Sequence, residues 1–403
     1  MGSHILRNEY LQKLKDFRDK DIIKIITGIR RCGKSTLLEI FQDNLKENGV
    51  AKDHIIAINF EDYDYEELRQ PKALYAYIQS RLQDNAMYYI FLDEIQNVTD
   101  FPKVVDSLNL KKNVDLYLTG SNAYMLSSEI ATLISGRYVE IRMLPLSFKE
   151  YVEALGDRKE LGQKYRNYLR FSSFPYAMML EENEERIQEY LEGIYSTVVL
   201  KDIVSRKNIS DTMILESVIR FLFDNIGNLT STKKISDTMI SDGRKVDVKT
   251  VEKYITALAE AFILYQAKRY DIKGRNYLKT LDKYYVVDIG LRYMLLGSKN
   301  PDTGHILENV IYLELLRRGF KVYVGKVDNE EVDFVAMNSR GTIYYQVAAS
   351  VRDENTLTRE LRPLQKISDH YPKYILTLDE DPDADYDGIR RINALDFLLS
   401  EMR

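Results

Sequence analysis

The chain has 403 residues, 45% of them hydrophobic and 30% charged, with a formal net charge of −5. That length supports two or three globular cores. No stretch approaches the roughly 18 apolar residues of a membrane span, and the N-terminus lacks a basic-then-apolar secretory signal, so a cytoplasmic protein without membrane attachment is expected. Cys32 stands alone and the four histidines lack HxxxH or HExxH spacing, which leaves no framework for a disulfide or a cysteine-based zinc site. The acidic balance excludes a uniformly basic, nucleic-acid-coating surface and leaves room for local basic patches.

Met1–His4 reads as an expression-tag remnant ahead of a natural start near Ile5. From Asp21 an apolar strand runs into a glycine-bounded loop, and then into a helix with apolar residues at Leu37, Leu38, Ile40 and Phe41. Further strand patterns cover His54–Asp62, Met87–Gln96, Val114–Asn122 and Arg137–Ser147, with a helix-like stretch over Tyr65–Asn85. Alternating strands and helices predict an α/β fold with a mostly parallel sheet covered on both faces, assigned to residues 5–145 as the first domain.

Residues 146–206 read as a helical lid or connector, interrupted by the aromatic-rich run around Pro175. Residues 207–297 give a helix (Met213–Ile226), a second helix capped by Thr230 or Ser231, a third (Val248–Phe262), and two strands around Lys273-Gly274-Arg275. That is the order of a winged helix. Residues 298–403 give a helix from Glu308 to a glycine C-cap at Gly319, then strands separated by turns. These form a small α/β domain. The acidic run Asp379–Asp385 reads as a solvated loop or, alternatively, a partner-binding tail.

Gly28-Ile29-Arg30-Arg31-Cys32-Gly33-Lys34-Ser35 matches GxxxxGK[ST] between a strand and a helix. With Thr36 these residues form the expected ATP-binding loop, which makes residues 5–145 a P-loop NTPase domain in expectation. Glycines let backbone N–H groups turn toward phosphate, the helix N-terminus adds positive potential, and Lys34 neutralises phosphate oxygens. Ser35 and Asp93, the latter at the tip of an apolar strand, are the expected Mg²⁺ ligands. Glu94 is the candidate base for the attacking water, the alternative being a strand-end surface charge. Ser121 and Asn122, ending the following strand, are candidates to sense the γ-phosphate, the alternative being a plain turn.

The runs IITGIRRCGKSTLL, FLDEIQ, LTGSN and SGRYVEIRMLPLSFKEY together resemble the AAA-type ATPases of bacteria and archaea that carry a C-terminal domain of uncharacterised function. The resemblance covers nearly the whole chain. It implies ATP hydrolysis, a homo-oligomer, and an arginine offered to the γ-phosphate by the same or a neighbouring copy. Arg137 is the candidate and Arg30 and Arg31 are competitors; a strand-start arginine paired to a surface carboxylate is the alternative for Arg137.

Two features bear on what such an ATPase acts on. Over residues 228–285 twelve Lys and Arg face seven Asp and Glu. With Val251, Ile255, Leu258 and Phe262 buried at helical spacing, Lys249, Thr250 and Lys253 should face outward. Together with the wing residues Lys273 and Arg275 they form a candidate DNA surface, the alternative being a winged helix that docks protein. In the last hundred residues, Glu308, Asp333 and the strand Tyr344–Ala348 resemble the nuclease fold whose metal site is a helix Glu, a strand Asp and an E-x-K strand. Gln346 and Ala348 replace the Glu and the Lys, so this domain is expected not to cut. Lys326 and Arg340 are the residues that could migrate into the missing role. A regulatory switch gating a protein partner, and an active nuclease, are the alternatives to a DNA-acting ATPase.

Overall fold

The computed structural model describes residues 5–123, 136–278, 281–297 and 302–401. Met1–His4, Ser135 of the SGRY run and Lys279 of the basic count lie outside the described residues. The chain divides into two compact units, Met1–Pro145 with Glu260–Phe262, and Leu146–Ala259 with Ile263–Arg403.

In the first unit α1 (Asn8–Asp16) precedes β1 (Ile23–Thr27), α2 (Lys34–Glu47), β2 (Ile55–Asn59), α3 (Pro71–Arg81), β3 (Tyr88–Asp93), α4 (Phe101–Asn109), β4 (Val114–Gly120) and β5 (Tyr138–Arg142). The strands form an all-parallel sheet in the order β2-β3-β4-β1-β5. Period-2 alternation divides the side chains between two faces. Ile23, Ile25, Ile58, Ile90, Leu92, Leu116 and Leu118 pack with Leu74 and Ile78 of α3 and Val104 and Leu108 of α4. On the other face Phe91 and Tyr117 stack at 4.8 Å, with Phe41 of α2 against both. Each such side chain contributes about 1.5–3 kcal/mol by leaving water.

The helix expected over Tyr65–Asn85 is broken: a 3-10 turn covers Tyr63–Arg69 and α3 starts at Pro71. Proline disfavours helical dihedrals in the residue before it, and Gln70 is extended at φ −85°, ψ 127°. The strand expected to reach Gln96 stops at Asp93 because Glu94 turns left-handed, at φ 53° and ψ 46°.

The second unit opens with α5 (Phe148–Leu155), whose Ser147 and Glu150 form a capping box. It continues with α6 (Leu161–Arg170), α7 (Glu184–Thr197) and a π-helical segment, Val198–Ser205. α8 (Thr212–Asp224), α9 (Thr232–Ser241) and α10 (Val248–Glu260) follow, with Asp211 and Ser231 capping the first two. β6 (Leu264–Ala267) pairs antiparallel with β9 (Lys283–Val286), and between them β7 (Arg269–Asp271) and β8 (Asn276–Tyr277) form a hairpin. Then come α11 (Ile289–Leu296) and α12 (Thr303–Arg317), the latter five residues longer at its start than expected because Asp302 accepts the His305 N–H.

β10 (Lys321–Val327), β11 (Glu330–Asn338), β12 (Gly341–Ala348), α13 (Glu354–Gln365), β13 (Lys373–Thr377), β14 (Ala384–Tyr386), β15 (Ile389–Asn393) and α14 (Ala394–Leu399) complete the chain. The last strands make an eight-stranded sheet ordered β14-β15-β13-β12-β11-β10-β7-β8. The hairpin at Lys273–Arg275 is therefore part of this sheet, β7 running parallel to β10 with Val324 opposite Arg269. Residues 146–259 and 263–403 cluster as one compact unit. The acidic run is only partly solvated: Asp379 is buried and accepts the Val351 N–H at 2.8 Å, and Asp381 pairs with Arg352. Among the described residues no helix is long and apolar enough to cross a membrane.

Candidate nucleotide site and a second polar cleft

β1 delivers the chain to Gly28 at the sheet's C-terminal edge. A Cβ there would lie 2.2 Å from the Met143 carbonyl oxygen, at a φ of +155°, so only glycine fits. The loop ends at Gly33, the N-cap of α2, where the first helical N–H groups are left without intrahelical partners. Lys34 is buried and folds back, donating to the carbonyls of Gly28 and Ile29 at 3.1 and 3.2 Å. From outside the motif, the Arg7 guanidinium braces the loop through the Cys32 carbonyl at 3.1 Å and holds the Leu144 carbonyl at 2.8 Å. Ile29 is buried, Ser35 and Thr36 are half-buried, and Arg31 is exposed. Arg30 pairs with Glu61 at 2.7 Å. Cys32 is fully buried and burial pushes its thiol up, so it belongs to the loop's packing.

The neighbouring strand ends complete the site. Asp93 accepts from the hydroxyls of Ser35 and Thr119. Burial raises its carboxyl, and these two hydrogen bonds oppose that shift. Glu94 lies 3.6 Å from the Lys34 ammonium; its backbone N–H donates to Thr119 at 2.8 Å, and its carboxylate accepts from Gln96. Gln96 also donates to the Ser121 hydroxyl at 3.3 Å. Ser121 and Asn122 are buried. The side-chain oxygens of Asn122 and Gln96 are buried without a partner among the described residues. Two hard oxygen donors, Ser35 and Asp93, bonded to each other beside a helix N-terminus, with orphaned polar atoms alongside, fit a small divalent cation and a phosphate. Gln96, Thr119 and Arg7 were not singled out from sequence; the FLDEIQ run contains Gln96, but only the fold brings it to Ser121.

Arg137 is elsewhere. Its carbonyl accepts the Ile23 N–H, and Tyr138 sits opposite Ile23 at the start of β1, whereas Arg142 sits opposite Thr27 beside the loop. Parallel strands start at the same edge, so Arg137 lies a full strand length, roughly 15 Å, from the phosphate loop of its own chain. As a γ-phosphate contact in cis it is excluded.

Residues 20–152 match the AAA domain family, and residues 162–302 match a domain of unknown function. An uncharacterized protein of Haemophilus influenzae is 41% identical over 98% of both chains. Another from Methanocaldococcus jannaschii is 30% identical over 85% of this chain and 78% of its own. The chain belongs to their family, and its residues 20–152 form an AAA domain. In fold the chain also resembles a Walker-type ATPase of Pyrococcus abyssi, with a TM-score of 0.52 at 15% identity over 72% of this chain and 96% of that one.

The residues expected to contact DNA separate into two groups. Lys249 and Lys253 are exposed one turn apart on α10, whose opposite face buries Val251, Tyr254, Ile255 and Leu258. Thr250 is instead engaged in the cap of its own helix, its N–H and hydroxyl both donating to the Asp247 carboxylate. Lys273 is tied to Asp328 at 2.7 Å, and Arg275, left-handed at φ 51°, turns the hairpin.

A cleft of about 690 Å³ in the second unit is lined by Lys283, His305, Glu308, Glu331, Asp333 and Glu360, among others. β11 carries a bulge against β10: Val332 opposes Gly325 and Val335 opposes Tyr323, leaving an extra residue between them. Val332 and Val335 pack with Leu361 and Leu364 of α13. Phe334 meets Tyr285 and Tyr312 on the other face, and Asp333 opens into the cleft. Asp333 accepts the Val347 N–H at 2.9 Å, and its own N–H donates to the Gln346 side-chain oxygen at 2.7 Å. The Gln346 amide donates to Glu360 at 2.8 Å, which a carboxylate in its place would not do. Ala348 supplies no cation, and neither Lys326 nor Arg340 lines the cleft. Lys283 does, from β9: its ammonium is 2.8 Å from Glu308, 2.7 Å from Glu331 and 3.5 Å from Asp333. Burial, with the Glu308 charge next, pushes the Asp333 carboxyl up to about 8. Nothing local in the sequence marks Lys283 as part of this cluster.

Proposed function

We propose that this chain hydrolyses ATP with Mg²⁺ in the cytoplasm, with Glu94 taking the proton of the attacking water. The observation that carries the proposal is the buried Glu94 carboxylate, held by Gln96 next to Asp93 and 3.6 Å from the Lys34 ammonium. Lys34 and the loop N–H groups of Gly28–Thr36 orient the phosphates, and Ser121 and Asn122 line the γ-phosphate end. Ser35 and Asp93 would hold Mg²⁺, which when bound supplies charge neutralisation at the phosphate oxygens. ATP turnover with and without Mg²⁺, in parent and Glu94→Gln protein, tests the assignment; Mg²⁺-independent turnover would overturn it. Because Arg137 sits at the far edge of its own sheet and Arg30 is paired with Glu61, an arginine contact would come from Arg31 of the loop or from a second copy. Self-association promoted by ATP is the expected result in sedimentation.

We infer that the hydrolysis acts on DNA through Lys249 and Lys253, exposed on the third helix of a winged-helix arrangement, and that the nuclease-like cleft does not cut. The docked hairpin, with Lys273 spent on Asp328, favours a second reading in which this segment gates a protein partner. ATPase rates with duplex, branched and single-stranded DNA separate the two: stimulation supports the first, and indifference together with no DNA binding at low salt supports the second.

A further inference from the structure

The cleft around Glu308 has the carboxylates of a cation site and already contains a cation. The Lys283 ammonium has three N–H donors and three carboxylate neighbours, Glu308 at 2.8 Å, Glu331 at 2.7 Å and Asp333 at 3.5 Å. The lysine side chain is 3% exposed and that of Glu308 5%. Tyr285 adds a hydroxyl to the same Glu308 oxygen at 2.6 Å. Bringing carboxyl groups this close without compensating charge is prohibitive, and the ammonium, paired closely with Glu308 and Glu331, is what offsets them. Among the described residues no three acids, histidines or cysteines are arranged to hold a metal ion. The space between the carboxylates is where the lysine nitrogen stands.

We propose that Lys283 is a built-in counter-cation: its ammonium takes the position of a divalent cation among Glu308, Glu331 and Asp333, making the cleft a metal-independent site that opens to a divalent cation only when Lys283 is removed. The Glu308 and Glu331 oxygens, 2.8 and 2.7 Å from the nitrogen, need to close by only a few tenths of an ångström to reach the roughly 2.3–2.6 Å that a Ca²⁺-sized ion prefers, whereas the Asp333 oxygen at 3.5 Å must move by about 1 Å. Lys283 approaches from β9, outside the β10–β12 region that carries Asp333 and Gln346, so the neutralising charge is independent of what stands at position 348. The proposal concerns cation binding, so it stands or falls separately from whether the cleft cuts nucleic acid or whether the fold is nuclease-derived.

The test uses the full chain in an Asp93→Asn background, which silences the nucleotide-site cation, with Mn²⁺ alone as the probe, followed by calorimetry and by the electron paramagnetic resonance of free Mn²⁺. The background protein should take up no Mn²⁺ in the cleft. Adding Lys283→Met should create one site with a dissociation constant of about 0.1–1 mM, and Glu308→Gln on top should abolish it. Lys283→Gln, one atom shorter than lysine but still carrying a donor, is a second variant should the methionine protein fold poorly, and in either variant millimolar Mn²⁺ should raise the melting temperature while leaving the background protein unmoved. Mn²⁺ uptake by the background protein that Glu308→Gln removes would overturn the proposal. So would folded Lys283 variants that bind no Mn²⁺, or unfolding of both variants that Mn²⁺ does not reverse.

Discussion

Replacing Glu94 with glutamine preserves shape and removes one charge. The Gln96 amide that holds the carboxylate still finds an oxygen acceptor, so the side chain stays in place. What disappears is the proton acceptor, and a positioned general base is worth about 10²–10⁴ in rate, or roughly 3–5 kcal/mol at 1.36 kcal/mol per tenfold. The ion pair with Lys34 at 3.6 Å is also lost, a gross attraction of about 5 kcal/mol at an effective dielectric of 20, largely offset by the cost of burying both charges. Lys34 keeps its bonds to Gly28 and Ile29 and is freer to meet phosphate, so nucleotide affinity should hold or tighten. Single-turnover hydrolysis beside equilibrium titration with a fluorescent ATP analogue separates the two effects. Hydrolysis within about threefold of the parent would refute the role of Glu94 as base.

Maleimide should label Cys32 of the native protein slowly, since the thiol is buried and raised, with labelling accelerating in step with urea unfolding. Lys249→Ala with Lys253→Ala should weaken binding to all DNA sequences about equally and reduce the slope of log K against log salt by about 1–2, whereas Lys273→Ala, already paired with Asp328, should leave the slope unchanged. Asp333 has a folded pKa of about 8 against 3.8 for the free side chain. The folded chain therefore holds a proton that the unfolded chain releases, and Asp333 makes stability fall as pH rises from about 4 to 8. Asp333→Asn keeps an acceptor for the Val347 N–H and should flatten the pH dependence of the melting temperature over that window.

The phosphate loop and Asp93 were legible in the sequence because their chemistry is local: a spacing of glycines, a lysine and a hydroxyl, and a carboxylate ending an apolar run. Gln96, Thr119 and Arg7 enter through tertiary contacts with Ser121, Asp93 and Cys32, which no periodicity reports. That Arg137 lies away from the phosphate loop of its own chain has one physical cause. A motif read along the chain does not say which end of a strand it occupies relative to another strand's end, and parallel pairing puts strand starts together. Lys283 was invisible for a related reason: its partners lie 25, 48 and 50 positions downstream. The three helices of residues 212–260 were legible from caps and apolar spacing. The hairpin's commitment to β10 was not, because edge pairing depends on which strand arrives to accept it.

That commitment has a temporal side. On the ribosome Arg269–Asp271 emerges about fifty residues before Lys321–Val327, which at roughly 5–20 residues per second leaves the hairpin waiting about 3–10 s for its neighbour. During that interval one edge of a tyrosine-bearing strand has no partner from its own chain, so nascent chains released early or stalled before β10 are the form of this protein most prone to pair with one another.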